Sequence, residues 1–289
     1  MDKRLLRFFL AVFATSWLFW AAAVLLEIKG WIAPAVQVLT CIGNATPSVL
    51  GLVFAWRDGG KKGLNALVKA SGTRRYKGRQ WLAIAVPFAA LLLSAAIQLL
   101  FGQSLPPLVM PLVLLFSLPF QFLIGGPLFE ELGWRGYALP RLLHRHRPLT
   151  ASLLLGVVWA IWAIPMAFWG DLVLPALLPY GIATCLCVYL LYAIFASILA
   201  TIVYLRAENS IMLAMLLHTA CLSMISTALL FLEKIAFLIC MLCFIALSCI
   251  LTYTERRLLL ERLPVKRMPP EELQLDEAQM EPRPPESET

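Results

Sequence analysis

The chain has 289 residues, of which 61% are hydrophobic and only 14% charged, with 24 Lys and Arg against 17 Asp and Glu for a net charge of +7. That balance excludes an ordinary soluble domain and matches what a bilayer demands of the protein inside it. The positive charge points to membrane topology and anionic lipid rather than to nucleic acid.

Apolar runs of roughly 20 residues are long enough to cross about 30 Å of hydrocarbon as helices. Eight such runs lie near 8–26, 33–56, 81–101, 109–139, 150–169, 182–205, 210–231 and 235–253. The fold class expected is therefore an all-α integral membrane protein, a bundle of about eight transmembrane helices around a polar cavity. The first run, in "MDKRLLRFFLAVFATSWLFWAAAVLL", has the basic start of a signal peptide. Its apolar stretch is longer than a usual signal core, and removing it would leave an odd number of spans, so it reads as an uncleaved span.

Basic residues accumulate on the cytoplasmic side of membrane spans. Placing the N-terminus inside puts 22 of the 24 Lys and Arg on that side and leaves only Lys29 and Lys234 opposite. A multi-pass protein of the plasma membrane with both termini cytoplasmic is the expected arrangement. The stretch "RDGGKKGLNALVKASGTRRYKGRQW" after the second span reads as an interfacial loop holding a short amphipathic helix. At the other end, the Pro- and Glu-rich residues from Pro264 onward cannot build a core. The division expected is a transmembrane domain over 1–256, with its motif core at about 45–225, and a disordered cytoplasmic tail over 257–289.

The seven cysteines all fall inside the apolar runs. Cys240 and Cys243 have the spacing of half a metal site but no second pair, so they read as packing residues, and no disulfide framework is expected. Ionisable residues at membrane depth are costly, and they mark function more often than not. In "GGPLFEELGWRGYALPRL", Glu131 and Arg135 are four apart and share a helix face, so Arg135 neutralises one acid while Glu130 points in an adjacent direction. The Gly125–Gly126 pair reads as close helix packing. His218, in "NSIMLAMLLHTACLS", is the one histidine within a span. Helix rise puts Glu130 about 16 Å and His218 about 13 Å deep, so the four residues are expected to converge in one cavity, opening toward the cytoplasmic side. A structural polar lock between helices is the plainer reading of the same residues.

The motif "EELGWRGYALPRL" resembles EExxxR, the first motif of the CAAX prenyl protease type II and bacteriocin-processing (CPBP, or Abi) membrane proteases. The later stretches "ASLLLGVVWAIWAIP" and "NSIMLAMLLHTACL" resemble the settings of that family's second and third motifs. The resemblance implies a membrane endopeptidase in which Glu130 activates water, Glu131 and Arg135 support it, and His218 stabilises the oxyanion. It implies a peptide or protein substrate at the membrane, either prenylated or a peptide precursor, with membrane lipids as the other partner and no nucleic acid.

Two positions depart from the pattern: Ala163 stands where the second motif has its histidine, and Leu222 where the third has its asparagine. An impaired protease and an inactive relative that binds membrane peptides or partner proteins both fit these departures. A transporter using the buried acids is a further alternative, although no repeated half of the chain supports it. The family is often labelled a metalloprotease, but with no second intramembrane histidine the ligand set gives zinc weak support, and no cofactor is expected.

Overall fold

The computed structural model describes residues 3–30, 33–72, 78–104, 109–169 and 173–262. Eight helices are long and apolar enough to cross a membrane, and no strand occurs among the described residues. The long helices are α1 (Lys3–Ile28), α2 (Ala33–Ala70), α3 (Gln80–Leu100), α4 (Val109–Leu123), α7 (Pro148–Trp169), α9 (Ile182–Arg206), α10 (Ile211–Phe231) and α11 (Lys234–Thr254). Shorter helices are α5 (Pro127–Glu131), α6 (Leu139–Arg145), α8 (Val173–Leu177) and α12 (Arg256–Leu260). The described chain reaches residue 262, so the segment from Pro264 onward lies outside it. Within the segment expected as tail, α12 is helical through Leu260, with Leu259 buried.

The fourth span departs from the sequence expectation of one continuous helix. It breaks after Leu123, resumes at Pro127, and passes through a π-helical segment over Leu132–Ala138 before α6. Gly126 makes the break, because its φ of +127° is one that L side chains rarely adopt. Gly125–Gly126 is therefore a chain break rather than a packing surface.

A close-packing glycine does occur about two turns further on. A Cβ on Gly133 would lie 2.1 Å from the Pro47 carbonyl oxygen, so α2 and the π segment touch backbone to backbone. The same device joins α7 to α9, where Gly156 packs against Ile194 and Ser197 donates a hydrogen bond of 3.0 Å to the Ser152 carbonyl. Without a hydrophobic force between helices in lipid, small residues and interhelical hydrogen bonds of this kind hold the bundle.

α2 turns at Gly60, φ +57°. Its final stretch folds back so that Leu67 is buried against Gly136 while Lys61, Lys62 and Lys69 are exposed. This part of the interfacial segment is amphipathic, as its sequence pattern suggests, and residues 73–77 lie outside the described residues. At the same end of the bundle, Asp58 accepts hydrogen bonds from Tyr137 Oη (2.8 Å) and Arg141 Nη2 (3.0 Å). Arg141 also stacks 3.6 Å from the Tyr137 ring. Glu255, likewise buried, pairs with Arg206.

Candidate functional site: a buried Glu-Glu-Arg-His cluster at the end of a cavity

α5 and the π segment bring three of the expected residues together, and α10 supplies the fourth. Glu131 is fully buried, and its Oε1 accepts from Arg135 Nη1 at 2.8 Å and meets His218 Nδ1 at 2.9 Å. An ionised carboxylate can only accept, so beside Arg135 the proton of this imidazole sits on Nδ1 and Nε2 remains for other work. Arg135, grouped by sequence with the cytoplasmic residues, is in fact 2% exposed and lies inside the bundle. The reason is this pairing: a guanidinium beside an otherwise stranded carboxylate is cheaper to bury than either charge alone.

Glu130 stands apart from the ion pair. Its Oε2 accepts from Trp159 Nε1 at 3.0 Å, and its Oε1 lies over Gly126, 2.5 Å from where a Cβ would be. The glycine is thus required twice, for its φ and for the room it leaves the carboxylate. Trp159 touches the rest of the cluster as well, edge-on to His218 at 5.1 Å and with the Arg135 guanidinium 5.4 Å from its ring.

Sequence reasoning did not single out Trp159. The signal was present in "VWAIWAIP", where the two indole N–H groups are the side-chain donors in an apolar stretch and need partners when buried.

Glu130, Trp159 and His218 form the inner end of a cavity of about 500 Å³. Its wall continues through Trp162, Ala163 and Met166 of α7 and through Leu222, Ile225, Ser226 and Leu229 of α10. These residues climb both helices away from Pro148 and Ile211, the ends that adjoin Arg147 and Arg206. The cavity therefore lies in the half of the bundle remote from the basic segments, whereas the expectation set its mouth on their side. The basic side is closed by Trp134, Arg135 and Tyr137, all buried. Asn44 and Gln121, two amides within apolar spans that sequence reasoning passed over, also line the wall.

Among the described residues, no group of three or more His, Cys, Asp or Glu could hold a metal ion. The donors present do not fit one: Glu131 Oε1 and His218 Nδ1 are spent on each other, and the Arg135 guanidinium shares the same oxygen, where it opposes a second cation.

The fold and this cluster define a multi-pass membrane protein with a buried polar site at the end of a cavity. Residues 111–224 match the family model described as Type II CAAX prenyl endopeptidase Rce1-like. That stretch contains Glu130, Glu131, Arg135, Trp159, Ala163, His218 and Leu222, and over it the likeness to the CPBP family read from EExxxR is borne out. A protein of Methanococcus maripaludis described as CAAX prenyl protease 2 is 26% identical over 171 residues, covering 56% of this chain and 62% of the relative.

Proposed function

We propose that the protein is an intramembrane endopeptidase of the CAAX-protease and bacteriocin-processing type whose site is impaired by the side chains at 163 and 222. The observation that carries this reading is the position of Glu130, a buried carboxylate outside the Glu131–Arg135 pair that faces a cavity large enough for a peptide. In the proposed reaction Glu130 takes a proton from water as the oxygen attacks the scissile carbonyl. His218, held by Glu131 through Nδ1, donates to the oxyanion from Nε2 when that nitrogen carries a second proton. Glu130 returns its proton to the departing amine as the C–N bond breaks.

The relative's name and the family model suggest a prenylated CAAX protein as substrate, and the resemblance to the bacteriocin-processing proteases adds a membrane peptide precursor as the alternative. With both termini cytoplasmic in the plasma membrane, as the basic residues suggest, such a substrate enters from the outer side.

A second reading, a protein that binds such peptides without cutting them, is favoured by one observation: Ala163 and Leu222 both line the cavity, where a histidine and an amide would face the substrate. The test is the double variant Ala163→His/Leu222→Asn in membranes. An oxyanion donor is worth about 2.7–4 kcal/mol, so cleavage of a peptide library is expected to rise by about a hundredfold or more, and Glu130→Gln is expected to abolish the gain. A parent that already cleaves well, or a double variant with no Glu130-dependent gain, would overturn the impaired-protease reading.

A further inference from the structure

We propose that the cavity carries a site for one main-chain amide of an extended, uncharged peptide segment, with Gln121 Oε1 accepting from its N–H and Asn44 Nδ2 donating to a C=O. This rests on the reading that the cavity receives peptide, but not on Glu130 cutting it. The two amides come from different helices, α2 and α4, and both are half-buried on the wall.

Each is held in one orientation by its other end. Asn44 Oδ1 accepts from Trp20 Nε1 at 3.1 Å, and Trp20 is itself fixed against Trp162 at 5.0 Å and against Gly43, where a Cβ would lie 2.3 Å from the indole nitrogen. That use of Oδ1 turns Nδ2 outward as a donor. Gln121 Nε2 donates to Ser226 Oγ at 2.7 Å, and Gln121 Oε1 lies over Gly125, itself part of the wall. One amide therefore presents a donor and the other an acceptor, the complement of a peptide unit.

A lipid or prenyl tail would leave both groups without partners in an apolar setting, which costs more than either hydrogen bond is worth. Beyond Glu130 and His218 the described residues of the wall include no charged side chain, so the segment recognised is neutral and takes small apolar side chains against Ala163 and Leu222.

The experiment uses the full chain in lipid nanodiscs and a capped Leu-Ala-Val peptide carrying a photoreactive diazirine, with analogues N-methylated at each amide in turn. Competition labelling reads the affinity. On the parent protein, N-methylation at one amide is expected to weaken binding about five- to tenfold while the other positions change little, the scale of one net hydrogen bond. Gln121→Leu is expected to weaken the unmodified peptide by the same factor and to leave the sensitive N-methyl analogue unchanged, because the two changes remove one interaction. Losses that simply multiply, equal losses at every amide, or labelling that an apolar hydrocarbon competes away as well as the peptide would each overturn the site. Because the N-methyl series is read on the parent, the proposal stays testable even if Gln121→Leu folds poorly. Coupled binding on the parent supports the site whether or not Ala163→His/Leu222→Asn cleaves; Glu130-dependent cleavage by that double variant without coupling on the parent overturns the site and leaves the hydrolytic reading standing.

Discussion

Replacing Arg135 by methionine isolates what the buried pair is worth. The side chain is 2% exposed and donates to Glu131 at 2.8 Å, and Glu131 is fully buried with Oε2 lacking a hydrogen-bond partner. Removing the guanidinium leaves an interior carboxylate with His218 Nδ1 as its sole side-chain donor. Breaking one side of such a pair costs about 3–5 kcal/mol, while removing both charges together is often nearly neutral. Arg135→Met is thus expected to lower the apparent melting temperature in detergent on the order of 10 °C. The double variant Arg135→Met/Glu131→Gln is expected to regain at least half of that loss, because no charge is left stranded. Melting would be followed by the loss of monodisperse protein on size-exclusion chromatography. A single variant within about 2 °C of the parent, or a double variant no better than the single, would refute the view that the pair is held together by mutual desolvation.

Trp159→Phe keeps the ring beside His218 but removes the donor to Glu130 Oε2; in the Ala163→His/Leu222→Asn background it is expected to lower kcat about tenfold with little change in KM, read by steady-state cleavage. Gly133→Ala is expected to reduce folded yield sharply, because its Cβ would meet the Pro47 carbonyl at 2.1 Å, whereas Gly59→Ala, with nothing within 4 Å of its Cβ, is expected to melt like the parent. Asn65→Cys, on the stretch after the Gly60 turn, is expected to react with an impermeant maleimide from the cytoplasmic side alone, and labelling from outside would reverse the span assignment.

Much of the architecture was legible because the bilayer imposes two simple rules. Every span must be long and apolar, and the backbone must satisfy itself, so seven of the eight apolar runs became single long helices and the fourth a helix broken at Gly126. The convergence of Glu130, Glu131, Arg135 and His218 followed from similar depths on helices that had to hide their charges. Hydropathy could not show the break at Gly126 or the π segment after it, since neither changes the apolar count. Nor could it show which half of the bundle holds the cavity, because that depends on bulky Trp134 and Tyr137 filling one end while smaller side chains leave space at the other. Trp159, Asn44 and Gln121 escaped notice for a related reason: an uncharged polar atom hardly alters a hydropathy profile, yet inside a membrane it must find a partner.

The four buried polar residues do not argue equally for chemistry. Glu131, Arg135 and His218 interlock, so losing Glu131 strands both of the others and losing Arg135 strands the carboxylate, and a bundle would keep all three for stability alone. Ala163 and Leu222 strand nothing, which is why those two positions could change without unfolding the chain. Glu130 is the discriminating residue. It takes no part in the ion pair, is held among the described residues only by the Trp159 indole, and faces the cavity at 7% exposure, where a carboxylate is costly. A residue kept for the fold would lower stability when removed; one kept for function at the expense of the fold would not. Glu130→Gln is therefore expected to leave the melting temperature unchanged or raise it, while Glu131→Gln lowers it by several degrees, because the second variant leaves the Arg135 charge without its carboxylate. Equal destabilisation by both substitutions would mean that Glu130 is one more member of the structural lock, and the case for a hydrolytic site would lose its strongest support.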